Sequence, residues 1–160
     1  MISLPRGKMV EKNADLLATD FLKKLVEMQK MGFTGYVALC VKGLSGLEEA
    51  TVLYDEGKLV GCFYEYYKFN KTFEGREAFQ RVLNASAAKN GVFDVIALKT
   101  EQVRLVLAVN EKIVFVPAPG QIEHAKVAEF SPLFEQNVTP ESEEKVKSDV
   151  LKRFKLQDLA

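Results

Sequence analysis

The chain has 160 residues, of which 48% are hydrophobic, and its 22 basic residues balance its 22 acidic ones. A chain of this size can form one domain that buries about two-thirds of its unfolded surface. The formal net charge of zero argues against general binding of polyanions, so nucleic acid is not the expected partner. A local basic patch is the exception to test, and it would need the side chains of Arg76, Arg81, Lys89, Arg104 and Lys112 to converge.

The longest apolar runs, residues 92–98 and 103–109, are much shorter than the roughly 18 to 20 residues of a membrane-spanning helix. We therefore expect no membrane span. Cys40 and Cys62 lie in apolar runs without a C-x-x-C motif, which is typical of small buried residues in a reducing compartment. Because the N-terminus also lacks the basic and apolar regions of a signal peptide, the sequence favours a cytoplasmic protein.

The first half of the chain predicts a helix and then a meander of strands. Residues 4–10 place a proline and a glycine before alternating residues, which suits a turn and a short edge strand. Thr19 or Asp20 is a plausible N-cap for a helix that ends at Gly32. Residues 36–42, 50–54 and 59–67 then have the β-branched and aromatic content of strands, with Gly57 in the second connection.

The next segment predicts a polar loop over residues 68–73 and a helix over 75–88. Residues 92–98 read as a strand. Residues 100–110 predict a shorter helix, although 103–109 could also form a strand, and residues 113–116 suggest a short last strand. Pro117 and Pro119, followed by Gly120, mark a break in regular structure, and we expect the compact core domain to span residues 1–120.

The remainder, residues 121–160, is expected to be an extension with one helix. Thr139 before Pro140, followed by first-turn acids, predicts a helix over about 140–154. Val146, Val150 and Phe154 form one narrow apolar stripe, which could dock on this molecule or on another. The expected fold class is α+β, with a mostly antiparallel β-meander of about four to five strands packed with two to three helices.

The sequence offers little catalytic chemistry. His124 is the only histidine and follows the proline break, while Cys40 and Cys62 lie inside predicted strands, away from any turn that would expose a nucleophile. The carboxylates are scattered, and no glycine-rich loop carries the lysine of a phosphate-binding motif. We therefore predict no catalytic residue, no metal site and no cofactor.

The densest feature is a group of aromatic residues that follows the predicted hairpin. Strand alternation must send part of this group to each face of the sheet, so some aromatic surface should be exposed or covered by a partner. The competing interpretation is that the core and the helices cover both faces. The candidate interaction surface consists of Phe63, Tyr64, Tyr66, Tyr67, Phe69 and Phe73, together with the tail stripe Val146, Val150 and Phe154.

Several glycine-centred blocks carry a family resemblance over about residues 4–116. They resemble an uncharacterised archaeal domain-of-unknown-function family and are similar to bacterial PATAN-type regulatory domains. The blocks are Leu4-Pro-Arg-Gly-Lys8, Gly32-Phe-Thr-Gly-Tyr36, Leu53-Tyr-Asp-Glu-Gly-Lys-Leu-Val-Gly61, Gly75-Arg-Glu-Ala78 and Gly91-Val-Phe93. The resemblance implies a non-enzymatic module that acts by protein contacts, and it supplies no catalytic residue.

The leading functional hypothesis is therefore a protein-interaction or regulatory module, with a protein partner or self-association. The alternative is a small-molecule-binding or enzymatic domain with a pocket between sheet and helices. In that case Glu65, Tyr67, Arg76 or His124 would supply the polar contacts.

Overall fold

The computed structural model describes residues 2–136 and residue 138. The chain forms two compact units, Met1–Phe130 and Ser131–Ala160. In the second unit a 3-10 turn spans Pro132–Phe134, and the Ser131 side chain caps it by accepting a hydrogen bond from the Leu133 amide. The helix predicted over 140–154 lies outside the described residues, and the predicted core boundary near residue 120 stays a prediction.

The first unit is built on one antiparallel sheet of six strands in the order β1-β6-β2-β3-β4-β5. Three α-helices and a 3-10 turn, Glu111–Ile113, complete it, so the expected α+β class is confirmed. The strands are β1 (Lys8–Asp15), β2 (Gly35–Lys42), β3 (Leu47–Asp55), β4 (Lys58–Tyr66), β5 (Lys71–Glu74) and β6 (Gly91–Ala97), and the helices are α1 (Phe21–Lys30), α2 (Arg76–Ala85) and α3 (Thr100–Val109).

The expected number of four to five strands was too low. Residues 71–74, part of which was read as a polar loop, form β5, which pairs with β4 so that Phe73 lies opposite Tyr64. This strand is short and lies at the sheet edge, where polar side chains face water and the apolar alternation is weak. Strand β1 is an eight-residue edge strand with two register shifts and a positive φ of 52° at Asn13, so its pattern is also irregular.

Two uncertain segments are resolved. Residues 103–109 lie in the helix α3 and not in a strand. The short strand expected over residues 113–116 was wrong, because this segment leaves the 3-10 turn and makes only an isolated bridge between Val114 and Gly61.

Helices α1 and α2 cover one face of the sheet, which we call the closed face. The Phe21 ring of α1 packs edge-on against Phe93 at a centroid distance of 5.3 Å. The Tyr54 hydroxyl donates a hydrogen bond of 3.0 Å to the backbone carbonyl of Leu25. From α2, the Arg81 guanidinium stacks 3.5 Å above the Phe73 ring. These contacts hold both helices on the same side of the sheet.

The other face is covered at one end. An apolar cluster joins this end of the sheet to α3 and the 3-10 turn Glu111–Ile113. Ile2 and Leu4 of the N-terminal segment pack against this cluster. The buried members of this cluster are Leu53, Phe63, Ile96, Leu98, Val103, Val106 and Ile113.

The β3–β4 hairpin turn requires glycine for two reasons that can be separated. Gly57 has φ +82°, and a Cβ built there would lie 2.6 Å from the backbone carbonyl oxygen of Gln29. Gly32 has a similar φ of +68° but no atom within 4 Å of such a Cβ. We expect Gly32→Ala to lower the free energy of unfolding by about 1 kcal/mol through backbone strain alone. Gly57→Ala should lower it by at least about 2 kcal/mol, since overpacking adds to the strain.

Urea denaturation followed by circular dichroism measures both values. Equal losses for the two variants would contradict the packing of the hairpin turn against the end of α1.

Candidate functional site

The part of the sheet beyond α3 presents two rows of side chains on the face opposite α1 and α2. Residues that pair across antiparallel strands project to the same face, so the register defines these rows. One row runs through Asp15, Val92, Cys40, Glu49, Glu65 and Thr72. The next contains Asp94, Ala38, Thr51 and Phe63.

We call this region the open sheet face. It includes the exposed residues that flank the two rows at the strand ends and edges. Its members are Ala38, Cys40, Leu47, Glu49, Thr51, Glu65, Tyr67, Val92 and Asp94.

The two faces of the central strand differ in burial. On the closed face, Val37, Leu39 and Val41 of β2 are at most 1% exposed. On the open sheet face, Ala38 and Cys40 of the same strand are only half-buried. Around them Leu47 is 57%, Tyr67 47% and Val92 41% exposed. The open sheet face is therefore accessible at β2 and along its margins, while Thr51 on β3 is buried.

The carboxylates of Glu49, Glu65 and Asp94 on the open sheet face have no described salt bridge. Glu49 lies directly opposite Glu65, and Glu49 accepts a hydrogen bond from the Tyr67 hydroxyl. Asp94 accepts one of 2.7 Å from the Asn13 amide. Described ion pairs involve other carboxylates, as Lys24 pairs with Glu11 and Glu27, and Arg104 pairs with Asp55. No lysine or arginine of the described chain therefore neutralises these three carboxylates.

Two neighbouring groups respond to this negative charge. Burial raises the pKa of the Cys40 thiol, and the nearby Glu49 and Asp94 carboxylates raise it further. The pKa of the Tyr36 hydroxyl is raised by burial first and then by Asp94 and Glu49. In both cases the carboxylates disfavour a second anion.

Thr51 lies at the centre of this face. Its side chain is 0% exposed, and its hydroxyl oxygen has no hydrogen-bond partner within the described part of the chain. Leaving a buried hydroxyl without a partner costs about 1–3 kcal/mol. The centre of the face therefore retains hydrogen-bonding capacity.

The other residues with potential chemistry are separated from one another. Cys62 is buried on the closed face, where its thiol donates to the Gly75 carbonyl and desolvation raises its pKa to about 12. His124 is exposed in the segment after Gly120. No group of three His, Cys, Asp or Glu side chains in the described residues could hold a metal ion. The predicted lack of catalytic, metal and cofactor residues stays a prediction.

The predicted aromatic surface is divided between the two faces. Phe63 packs in the cluster under α3, and Tyr64 and Tyr66 are buried on the opposite side of β4. Phe69 and Phe73 are half-buried, so Tyr67 is the member with a large exposed area. Its use as a docking surface stays a prediction. The tail residues Val146, Val150 and Phe154 lie outside the described residues.

The residues of the alternative pocket do not line one cavity. Glu65 and Tyr67 border a small cavity of about 50 Å³ at the β4–β5 turn. Arg76 borders a separate cavity of about 440 Å³ beside Phe79 and Phe115, and His124 lines neither cavity.

Two of the five residues of the possible basic patch make other contacts in the structure. Arg81 is buried against Phe73, and Arg104 is paired with Asp55.

Sequence reasoning missed Glu49, Thr51 and Asp94 as members of a common site. The predicted strand begins at residue 50, whereas β3 begins at Leu47, so Glu49 lies outside the predicted strand. The sequence signal for this site is that the small residues Ala38 and Cys40 alternate with the larger apolar residues of β2, which indicates that the two faces of the strand differ. Assigning those residues to one face would also require the strand order.

Residues 2–110 match a family described as uncharacterized protein conserved in archaea (DUF2226). The match covers more than half of the chain, and the chain belongs to this family. No curated protein and no solved structure matches the chain. In the part of the chain that the structure describes, no helix is long and apolar enough to cross a membrane.

The negative charge beside Cys40 should slow its reaction with alkylating agents, because the thiolate is the reactive form. Removing one charge by Glu49→Gln should lower the pKa of Cys40 and speed its alkylation by iodoacetamide at pH 8. We expect roughly a fourfold change at low salt, as for two charges about 5 Å apart in water. Peptide mass spectrometry over time measures the rate.

Glu101→Gln provides the control, since it removes the same charge from an exposed position on α3. If both variants changed the alkylation rate equally, the conclusion that Glu49 acts on the Cys40 thiol through its proximity on the open sheet face would be wrong.

Proposed function

We propose that this archaeal DUF2226 protein is a non-enzymatic protein-interaction module that docks a partner on the open sheet face. The observation that carries the proposal is the unequal cover of β2. One side of this central strand is completely buried, while Ala38 and Cys40 on the other side remain accessible.

The composition of the open sheet face supports recognition. An antiparallel sheet with one face in water usually places polar residues on that face. Here the small residues Ala38 and Cys40 and the exposed Val92 lie among the carboxylates. Protein interfaces likewise combine an apolar centre with a polar rim, and tyrosine is enriched in them. Tyr67 lies at this rim.

A regulatory role follows from this mode of action. A module without its own chemistry changes its partner by binding, as PATAN-type domains are thought to do, and the glycine blocks quoted above carry that resemblance. Two free thiols, Cys40 and Cys62, support a reducing cytoplasmic location.

Self-association through this face is disfavoured within the same proposal. A two-fold interface would place the same patch of each copy against the other. Carboxylates of one copy would then face carboxylates of the next. A different protein is the better partner.

A groove of about 570 Å³ supports a second candidate, the binding of a small molecule. It lies between α1 and residues 122–128 and includes Leu22, Val26, Ile122 and Lys126 in its lining. This volume is within the usual range for ligand sites.

Blocking the face tests the main proposal. Ala38→Arg should place a long charged side chain over the centre of the open sheet face and reduce recovery of the partner at least tenfold. Wild-type and variant proteins are immobilised and incubated with lysate of the source archaeon, and bound proteins are quantified by mass spectrometry.

Ala108→Arg makes the same change at an exposed position on α3 and should preserve binding. Circular dichroism checks that both variants are folded. If every bound protein were recovered equally with the two folded variants, the open sheet face would not be the docking site.

A further inference from the structure

The charge on the open sheet face and its margins is strongly one-sided. Among the described residues that the register places in the two rows of the open sheet face, five are acidic and none is basic, and Lys42, paired with Leu47 at the end of β2, lies outside these rows. The acidic residues are Asp15, Glu49, Glu65, Glu74 and Asp94. The whole chain is neutral, so this local excess comes from the distribution of charges and not from composition.

The Glu49–Glu65 pair is unfavourable for the isolated sheet. Like charges directly opposite each other on neighbouring strands are destabilising. Tyr67 donates a hydrogen bond to Glu49 but brings no positive charge. Beside this pair, the buried Thr51 hydroxyl also has no partner among the described residues. The opposed carboxylates would be stabilised by a ligand that supplies cations, and the unpartnered Thr51 hydroxyl lies in the next row of the same face.

The size of the face sets the size of the ligand. From Val92 on β6 to Glu65 on β4 there are three strand spacings, or roughly 14 Å. From Leu47 to Thr51 along β3 there are four residue steps, again roughly 14 Å. The resulting area of roughly 200 Å² is much smaller than the roughly 800 Å² that each partner buries in a standard interface. Four or five extended residues would span it.

We propose that the open sheet face binds a short polypeptide segment of a partner protein that carries arginine or lysine side chains next to apolar ones. This assignment rests on the proposed function and names the chemistry of its partner. The guanidinium of an arginine can bind two carboxylate oxygens at once, as Glu49 and Glu65 offer them. The Tyr67 ring is exposed beside this pair and can stack on the same cation. The apolar side chains of the segment lie against Ala38, Leu47 and Val92.

Peptide binding tests this assignment. The probe is a fluorescently labelled nine-residue peptide in which arginine alternates with leucine, and fluorescence anisotropy measures its Kd for the full chain. The double variant Glu49→Gln and Glu65→Gln should weaken binding at least tenfold. The affinity of the wild type should fall as salt is raised, because the carboxylates are accessible to solvent. A peptide with glutamate in place of arginine should not bind.

The control is the double variant Glu101→Gln and Glu111→Gln, which removes two exposed acids elsewhere and should change Kd less than twofold. Glutamine keeps the shape and hydrogen bonding of Glu49, and equal melting temperatures confirm that the variants are folded. Equal loss in both double variants would overturn the assignment in favour of unspecific charge attraction. Spermine that binds as tightly as the peptide would overturn it in favour of a small polyamine.

The two proposals can fail separately. If Ala38→Arg abolishes capture of a partner while the Glu49 and Glu65 variant retains it, the face docks a protein but the basic segment is wrong. If neither variant affects capture, the docking proposal fails as well.

Discussion

Side-chain alternation along β2, β3 and β4 is the constraint on which the rest of this domain depends. Because the period is two, the same three strands must satisfy two different environments. One set of side chains packs against α1 and α2. The other set packs against α3 at one end of the sheet and forms the open sheet face at the other end. A shift of the register by one residue would put Glu49 and Asp94 under the helices and Val37 and Leu39 in their place outside.

The closed face gives the open sheet face a rigid support. Tyr54 fixes α1 through a buried hydrogen bond, and Arg81 of α2 stacks on Phe73 of the edge strand β5. Tyr54 belongs to β3, the strand of Glu49, and Phe73 lies opposite Tyr64 of β4, the strand of Glu65. A surface that is ordered before binding loses little conformational entropy when a partner docks. This matters for a small patch, since its contacts are few.

The sequence predicted the two-helix cover and the central meander well, because α1, α2 and β2 to β4 have strong periodicity and clear caps such as Asp20. It predicted only a short edge strand within residues 4–10, where β1 spans Lys8–Asp15, and it missed β5, because edge strands keep few buried residues and lose their alternation. The aromatic residues were identified, but their faces depend on register, so the burial of Tyr64 and Tyr66 could not be read from residue type. The acids Glu49, Glu65 and Asp94 come from three separate strands. Strand order alone brings them together, and no local pattern encodes it.

The carboxylates account for two properties that would otherwise conflict. An accessible face that contains Ala38, Cys40 and Val92 invites contact between identical molecules, and a patch of this kind is an association hazard. Like-charge repulsion between the acids of this face would oppose that contact, at the cost of the opposed Glu49 and Glu65. The same acids would attract a segment of opposite charge. Solubility alone could be met by mixed charges or by lysines, so the single sign of charge in the two rows fits the basic partner segment that we propose.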